Sequence, residues 1–466
     1  MSPSARVTDD AWLEHPISGD PLLELVPLRR HLRTICRAGE IPAETLERKI
    51  EACRLRIEAV DAATLAILDG ASLPLSSSAR QIVLALDEIH GLCAEALEAE
   101  ARLSGPAFAA VRRLYHLQRL QLIAMMSFRV PPPDLMVRAI AAYEQAPAPR
   151  TNQLFGTILS LSAIRVEGFA PWEIALIAKA TERFAAPVGI RSTAPENPHA
   201  CYWMTQTGHQ WPTSFRRQPP VDRSDLLYFD CSALAASVAD VAESLGSGTP
   251  APQLGLPATA NRPPSIEALR RAVAHWKSPR DRSVGRQKQI HGVQLCCRLG
   301  ELWRSLSSKD GSDIEVSQWM TLNTGAQGCA VMHLRGNVTG LVAGGALGIR
   351  SGEETTWSVC LIRWARSENP AHIELGLEVL TTSASAVRVA PAGGGPASVL
   401  LLRANDESGT GEALLAARDQ IPAGDFVLIE ENDGRVKLTA CKAGALRHQS
   451  SSTEVRDFQR LPMPAS

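Results

Sequence analysis

Pro279-Arg-Asp-Arg-Ser-Val-Gly-Arg286, His291-Gly-Val-Gln-Leu-Cys-Cys-Arg298 and Val316 to Leu322 lead into Asn323-Thr-Gly-Ala-Gln-Gly328, and here the chain changes its hydrophobic period. Just before this stretch, Ser265 is placed to cap a helix with Ile266, Leu269, Val273 and Trp276 on one face. Beyond it, Ile373, Leu375, Leu377 and Val379 alternate with Glu374, Gly376 and Glu378, the pattern of a strand with one face in a core. Trp357-Ser-Val-Cys-Leu-Ile-Arg-Trp364 is apolar on both faces and reads as a central strand. His291 to Arg298 and Val316 to Leu322 also read as strands, with a short helical patch from Glu301 to Leu306 between them.

The same stretch carries the chemistry. Arg270, Arg271, Lys277, Arg280, Arg282, Arg286 and Lys288 face Asp281 alone between positions 270 and 288. Arg282 and Arg286, separated by three residues, precede the first strand, and Asn323 to Gly328 makes a tight turn between two strands. Guanidinium forks grip phosphate oxygens and stack on planar rings. Glycines let a backbone approach a ligand closely. Together they suit a receptor for an anion that also carries a flat ring.

At these residues the sequence resembles the PilZ domain family, marked by an R-x-x-x-R loop and a downstream [D/N]-x-S-x-x-G turn. Arg282 and Arg286 match the loop, and Asn323 and Gly328 match the ends of the turn. Gly325 stands at the serine position, so the family hydroxyl is missing and a backbone N–H is left to replace it. Trp357 to Trp364 and Ile373 to Val379 are similar to the later strands of the same barrel. The resemblance spans roughly residues 265 to 390. It implies an antiparallel β-barrel that binds cyclic di-GMP, with Arg282 and Arg286 on phosphates and guanines and Arg280 beside them. Asn323, Gly325 and Gly328 would wrap a guanine edge. It further implies a bacterial, cytoplasmic effector without catalysis or cofactor, which passes ligand binding to a protein partner. The alternative is a degenerate PilZ-like interaction scaffold that does not bind the nucleotide.

Bulk composition limits the other choices. A chain of 466 residues is long for one domain, and 45% hydrophobic with 21% charged residues is ordinary for a globular protein. The net charge of -1 argues against a nucleic-acid binder with a basic surface throughout. No C-x-x-C pair occurs among the ten cysteines, and no apolar run reaches a membrane-spanning length. The N-terminus lacks the apolar core of a signal peptide. Reduced, buried thiols in a cytoplasmic protein are the expectation. Gly344 to Gly348 and Gly393 to Gly395 lack the Lys-Ser/Thr and the strand–helix context of a phosphate loop, and no catalytic constellation can be placed.

Upstream the chain reads as helices. Residues 1 to 19 look like a loose arm. From Pro42, Leu46, Ile50, Cys53, Ile57, Val60 and Ile67 form one stripe; Ile82, Leu86, Ile89, Cys93 and Leu97 form the next. A third helix runs from about Phe108 to Phe128, and others cover 134–146, 152–164, 171–185 and 232–245. Residues 186–224, with His199, Cys201 and His209 at spacings unlike a zinc site, read as a loop or irregular hairpin. Downstream, Phe426 to Ala440 is a hairpin turning at Asp433-Gly434.

The expected fold is therefore α+β: an all-α region 1–245, a Gly/Pro-rich linker 246–264 and a barrel 265–390. Residues 391–466 form a β-rich extension or second small barrel, with the glycines at 393–395 as linker.

Overall fold

The computed structural model describes residues 15–462 apart from 38–42, 105, 186–187, 196–198, 208–210, 217, 219, 222–224, 278–286, 309–313, 326, 353, 355, 370–371, 404–410, 433–434 and 451. The fold is α+β, with a helical N-terminal region and closed antiparallel barrels after it. The chain divides into two compact units: 1–71, 75–166 and 171–281 make the first, and 72–74, 167–170 and 282–466 the second.

Nine helices of the first unit are described: α1 Pro21–Arg37, α2 Ala43–Asp69, α3 Ser77–Ser104, α4 Pro106–Met126, α5 Leu135–Gln145, α6 Pro149–Ala163, α7 Pro171–Phe184, α8 Ser232–Gly246 and α9 Pro263–Lys277. Helix α4 is the axis of this unit, packed against α3, α5, α6 and α7. It is buried nearly all round, polar residues included. Burying a polar group is costly unless it is bonded, and each of these finds a partner on a neighbouring helix. Gln121 Nε2 donates to Ile158 O at 3.1 Å, Gln118 Nε2 to Glu182 Oε1 at 2.9 Å, and Arg113 to Gln145 at 2.7 Å.

The deepest network joins α2, α3 and α4. Arg119 Nε donates to Asp61 Oδ2 at 2.6 Å, and His90 Nε2 lies 3.0 Å from Asp61 Oδ1. Burial works to raise the Asp61 carboxyl, but His90 and Arg119 overcome it and hold it at about 2, below the ordinary 3.8. A depressed carboxylate stabilises the fold above its unfolded value and loses that contribution as pH falls through its folded one. Asp61 accordingly contributes about 2 kcal/mol at neutral pH. The gap in unfolding free energy between wild type and Asp61→Asn is expected to close as pH falls from about 4 to about 2. Denaturant titrations across that window measure it, and a gap independent of pH would refute the assignment.

This unit also holds a small antiparallel sheet: β1 Gly189–Arg191, β2 Cys201–Thr205, β3 Thr213–Ser214 and β4 Leu226–Asp230, in the order β1-β4-β2-β3. Much of the sheet falls in the segment read as a loop or irregular hairpin, where β2 and β3 do pair antiparallel. Strands of two to five residues are too short for a period of two to stand out. Cys201 lies buried in β2, and His209 falls outside the described residues.

The Gly/Pro-rich stretch read as a linker is folded within the first unit. It makes two 3-10 turns, Ala251–Leu254 and Ala258–Asn261, stapled where Asn261 Oδ1 accepts from Ala251 N at 2.7 Å and its Nδ2 donates to Thr249 O at 2.9 Å. Helix α9 starts at Pro263, so Ser265 sits inside the first turn and not at the cap; its hydroxyl donates to Thr259 O at 3.0 Å. Trp276 is fully buried and donates to Ser160 O at 3.0 Å.

The second unit contains two barrels of six strands each. The first uses β5 Gly292–Cys296, β6 Ser317–Gly325, β7 Gly328–Arg335, β8 Ala346–Ser351, β9 Ser358–Asn369 and β10 His372–Thr381, with α10 Leu299–Ser307 between β5 and β6. The second uses β11 Ala384–Pro391, β12 Ala397–Leu402, β13 Ala413–Ala417, β14 Asp425–Asn432, β15 Arg435–Gln449 and β16 Thr453–Arg460. If strands are counted from one to six within each barrel, both close in the cyclic order 1-2-3-6-5-4. The second barrel is a topological copy of the first.

The glycines at 393–395 are thus not a linker. They turn the hairpin β11–β12, and the barrels join through Thr382 and Ser383 alone. The barrels share apolar surface: Leu302 of α10 with Trp357 and Val359 packs with Leu400, Leu415 and Val455. Trp303 Nε1 donates to Val387 O at 2.9 Å. Gly344, at φ +86°, brings its carbonyl to Ser450 and Thr453, whose hydroxyls donate to it at 2.8 and 2.6 Å; a Cβ there would meet the Ser450 Cβ at 2.5 Å. That close approach accounts for glycine at this position of the run Gly344 to Gly348.

Candidate functional site

Arg280, Arg282 and Arg286 lie outside the described residues, while Asn323, Gly325 and Gly328 lie together at the end of the β6–β7 hairpin. Gly325 pairs with Gly328 as the closing pair of that hairpin. Upstream, β6 buries Ser317, Trp319 and Thr321. Thr321 pairs with Val331, but Asn323 pairs with Ala330, so the register slips by one at Leu322. A bulge of this kind adds a residue, bends the strand and resets which side chains face inward. Asn323, two residues beyond a buried threonine, is half-buried.

The chain that follows Arg286 is pinned to this place. Gln287 N donates to Thr324 O at 2.9 Å, and Thr324 N donates back to Gln287 O at 2.9 Å. The Thr324 hydroxyl donates to Gln289 Oε1 at 2.8 Å, and the Thr321 hydroxyl donates to Gln289 O at 2.7 Å. His291 N donates to Thr321 Oγ1 at 3.0 Å. β6 is therefore flanked near its end by β7 on one side and by Gln287 to His291 on the other.

On the far side, Glu378 of β10 pairs with Gly328, and Val379 N donates to Gln327 O at 3.0 Å. Arg363 of β9 donates to the Glu378 carboxylate, so that charge is paired. What is assembled is a hairpin end closed by two glycines, with Gly328 also paired to β10, beside a carboxylate matched by an arginine.

A further signal in the sequence becomes legible from the topology. Asn323 to Gly328 spans the end of strand two and the start of strand three of the first barrel; the chain between strands two and three of the second barrel holds Asp406-Glu-Ser-Gly-Thr-Gly411. Those residues fit [D/N]-x-S-x-x-G in full, serine included. No R-x-x-x-R pair stands shortly before residue 384 to draw notice to them in the sequence. Residues 404–410 lie outside the described set, but the base of the connection does not. Arg447 donates to Gly411 O at 3.1 Å, while Arg403 and Arg460 both reach Glu412, at 3.3 and 3.1 Å. Burial works to raise the Glu430 carboxyl, and the hydrogen bond and charge of Arg460 hold it below its usual range.

Among the described residues no helix is long and apolar enough to cross a membrane, and no cluster of His, Cys, Asp and Glu could hold a metal ion. No curated protein and no solved structure matches the chain. Residues 301–386, which hold β6 to β10 with Asn323 to Gly328 and begin after β5 and Arg286, are similar to the family described as the middle PilZ domain of the cyclic-di-GMP receptor FimW.

Proposed function

We propose that this protein is a receptor for cyclic di-GMP that signals to a protein partner and catalyses nothing. The observation that supports it is the PilZ match over the barrel whose β6–β7 hairpin carries Asn323, Gly325 and Gly328. In this reading Arg282 and Arg286, with Arg280 beside them, take the phosphates and stack on guanine, because guanidinium pairs both charge and plane with such a ligand. Gln287, which follows Arg286 in the sequence, is paired with Thr324 near the hairpin end, and this supports the reading. Isothermal titration of the whole chain with cyclic di-GMP, with GTP as control, is the test. Saturable binding of the dinucleotide alone is expected. No binding supports the degenerate scaffold, and steady turnover of either nucleotide overturns the receptor reading.

Two substitutions address the turn. Asn323→Ala removes a neutral partner and is expected to weaken binding about tenfold. Gly325→Ser restores the family hydroxyl and is expected to leave binding equal or tighter. A second reading places a ligand on the second barrel, favoured by the complete Asp406, Ser408 and Gly411 pattern at the matching connection. Stoichiometry separates the two: Ser408→Ala lowers the number of ligands bound only if that turn takes part.

A further inference from the structure

The first unit holds a cavity of about 190 Å³ between α2, α4 and α6, far in sequence from the hairpin described above. Ile50, Ile57 and Leu154 give it an apolar wall. Arg54, Arg112 and Arg150 line it as well, and the His116 ring, only 7% exposed, closes one side. The guanidinia are not equally engaged. Arg54 is bound to Glu51 and to Glu58, a residue that also lines the cavity, and Arg112 lies 3.7 Å from Glu51. Arg150 has only the neutral Gln153 as a described partner, at 2.9 Å.

His116 is half of a buried pair. Its Nδ1 lies 2.9 Å from Nδ1 of His90, and Nε2 of His90 is bonded to Asp61. Asp61 is ionised and accepts, so His90 Nε2 carries a proton. One proton fits between the two Nδ1 atoms. In the neutral pair that proton belongs to His116, whose Nε2 is then a bare acceptor. Adding one proton to the pair, on either ring, leaves Nε2 of His116 as an N–H donor next to a positive charge. Among the described residues nothing is hydrogen-bonded to that Nε2. The other charged or titratable groups around the pair are Asp61 and Glu58 from α2, Asp87 from α3, bound to Arg129 at 2.5 Å, and Arg112, Tyr115 and Arg119 from α4. Asp61 with Arg119 and Asp87 with Arg129 are already balanced, so an added proton on the histidines lacks a counter-charge.

We infer that this cavity binds a small organic carboxylate with a compact apolar body, taken up together with one proton by the His90–His116 pair. The apolar wall takes the body, Arg150 and the protonated pair take the carboxylate, and the incoming anion is the missing counter-charge. A buried apolar cavity of about 150 Å³ already accepts a benzene ring, so a benzoate-sized anion suits the larger one here. Either charge alone would be costly to bury; together they are paired.

The test uses the whole chain with benzoate as probe and benzamide as its neutral isostere. Titrations are run at about pH 6 and about pH 8, either side of the usual imidazole value and well above that of a carboxyl. Benzoate is expected to bind more tightly at the lower pH, by up to tenfold per unit, and at least about tenfold more tightly than benzamide. Heats measured in phosphate and in Tris are expected to show uptake of one proton. His116→Gln, checked for folding by circular dichroism, is expected to abolish the pH dependence. Arg150→Gln, on the exposed rim, leaves the core untouched and is expected to weaken benzoate about tenfold or more. The inference is overturned by no benzoate binding up to the millimolar range, by equal binding of benzamide, or by affinity independent of pH.

Discussion

Replacing Arg282 and Arg286 together by alanine is expected to weaken cyclic di-GMP binding by about 10²–10⁴-fold. Hydrogen bonds to charged groups contribute roughly 1.5–3 kcal/mol each, and two of them convert to that range at about 1.4 kcal/mol per tenfold. Salt should weaken wild-type binding more than that of the double variant, because the lost contacts are the charged ones. Calorimetry on both proteins, after thermal unfolding shows equal stability, gives the answer. If the double variant is folded and binds as wild type does, the arginine pair is not the site. In that event Ser408→Ala becomes decisive, since the second barrel's turn is the remaining candidate.

Much of the architecture was legible because period and turn chemistry agree over long stretches. The alternation at Ile373 to Val379 predicted β10, and the hairpin around Asp433-Gly434 appears as β14 and β15, its turn residues lying outside the described set. Helices with a clear apolar stripe, such as the one carrying Ile50, Cys53, Ile57 and Val60, also appear where expected. Composition misled where period was silent. Gly393 to Gly395 turns a hairpin inside the second barrel, while the junction of the barrels, Thr382-Ser383, has no Gly/Pro signal. Helix α1 went unread although Leu25, Leu28, Leu32 and Ile35 repeat at helical spacing, with Pro27 working against the pattern.

The site was half legible. The sequence brings Asn323, Gly325 and Gly328 to one turn, but the pairing of Gln287 with Thr324 is a single bridge without periodicity, and only the fold reveals it. The same holds for the buried His90–His116 pair. Its members stand on different helices, and nothing in the spacing of Asp61, His90 and His116 marks them as neighbours. Asp406, Ser408 and Gly411 are readable as a pattern in the sequence alone; only the matching strand order of the two barrels sets them beside Asn323, Gly325 and Gly328 in the comparison.

Gly328→Ala is expected to destabilise the first barrel by about 3 kcal/mol, at the upper end of what overpacking usually costs. A Cβ on Gly328 would lie 1.9 Å from Leu377 O, 2.9 Å from Leu377 C and 3.0 Å from Glu378 Cα. All three atoms are backbone of β10, so no side-chain rotation relieves the clash. β10 is itself held by the core, with Ile373, Leu375 and Leu377 buried, and by the bond from Val379 N to Gln327 O. Either the hairpin lifts off β10 or β10 shifts out of its register with β9. The expected fall in the unfolding midpoint is about 6–12 °C for a unit of this size, measured by calorimetry without ligand. The structure thus gives the last glycine of the motif a reason that precedes any ligand: two strands meet there too closely for a side chain. Gly325→Ser is the companion measurement, because it changes the same hairpin end at the position where the family pattern has its hydroxyl. A Gly328→Ala protein with wild-type stability and no cyclic di-GMP binding would reverse the conclusion and make this glycine a ligand contact alone.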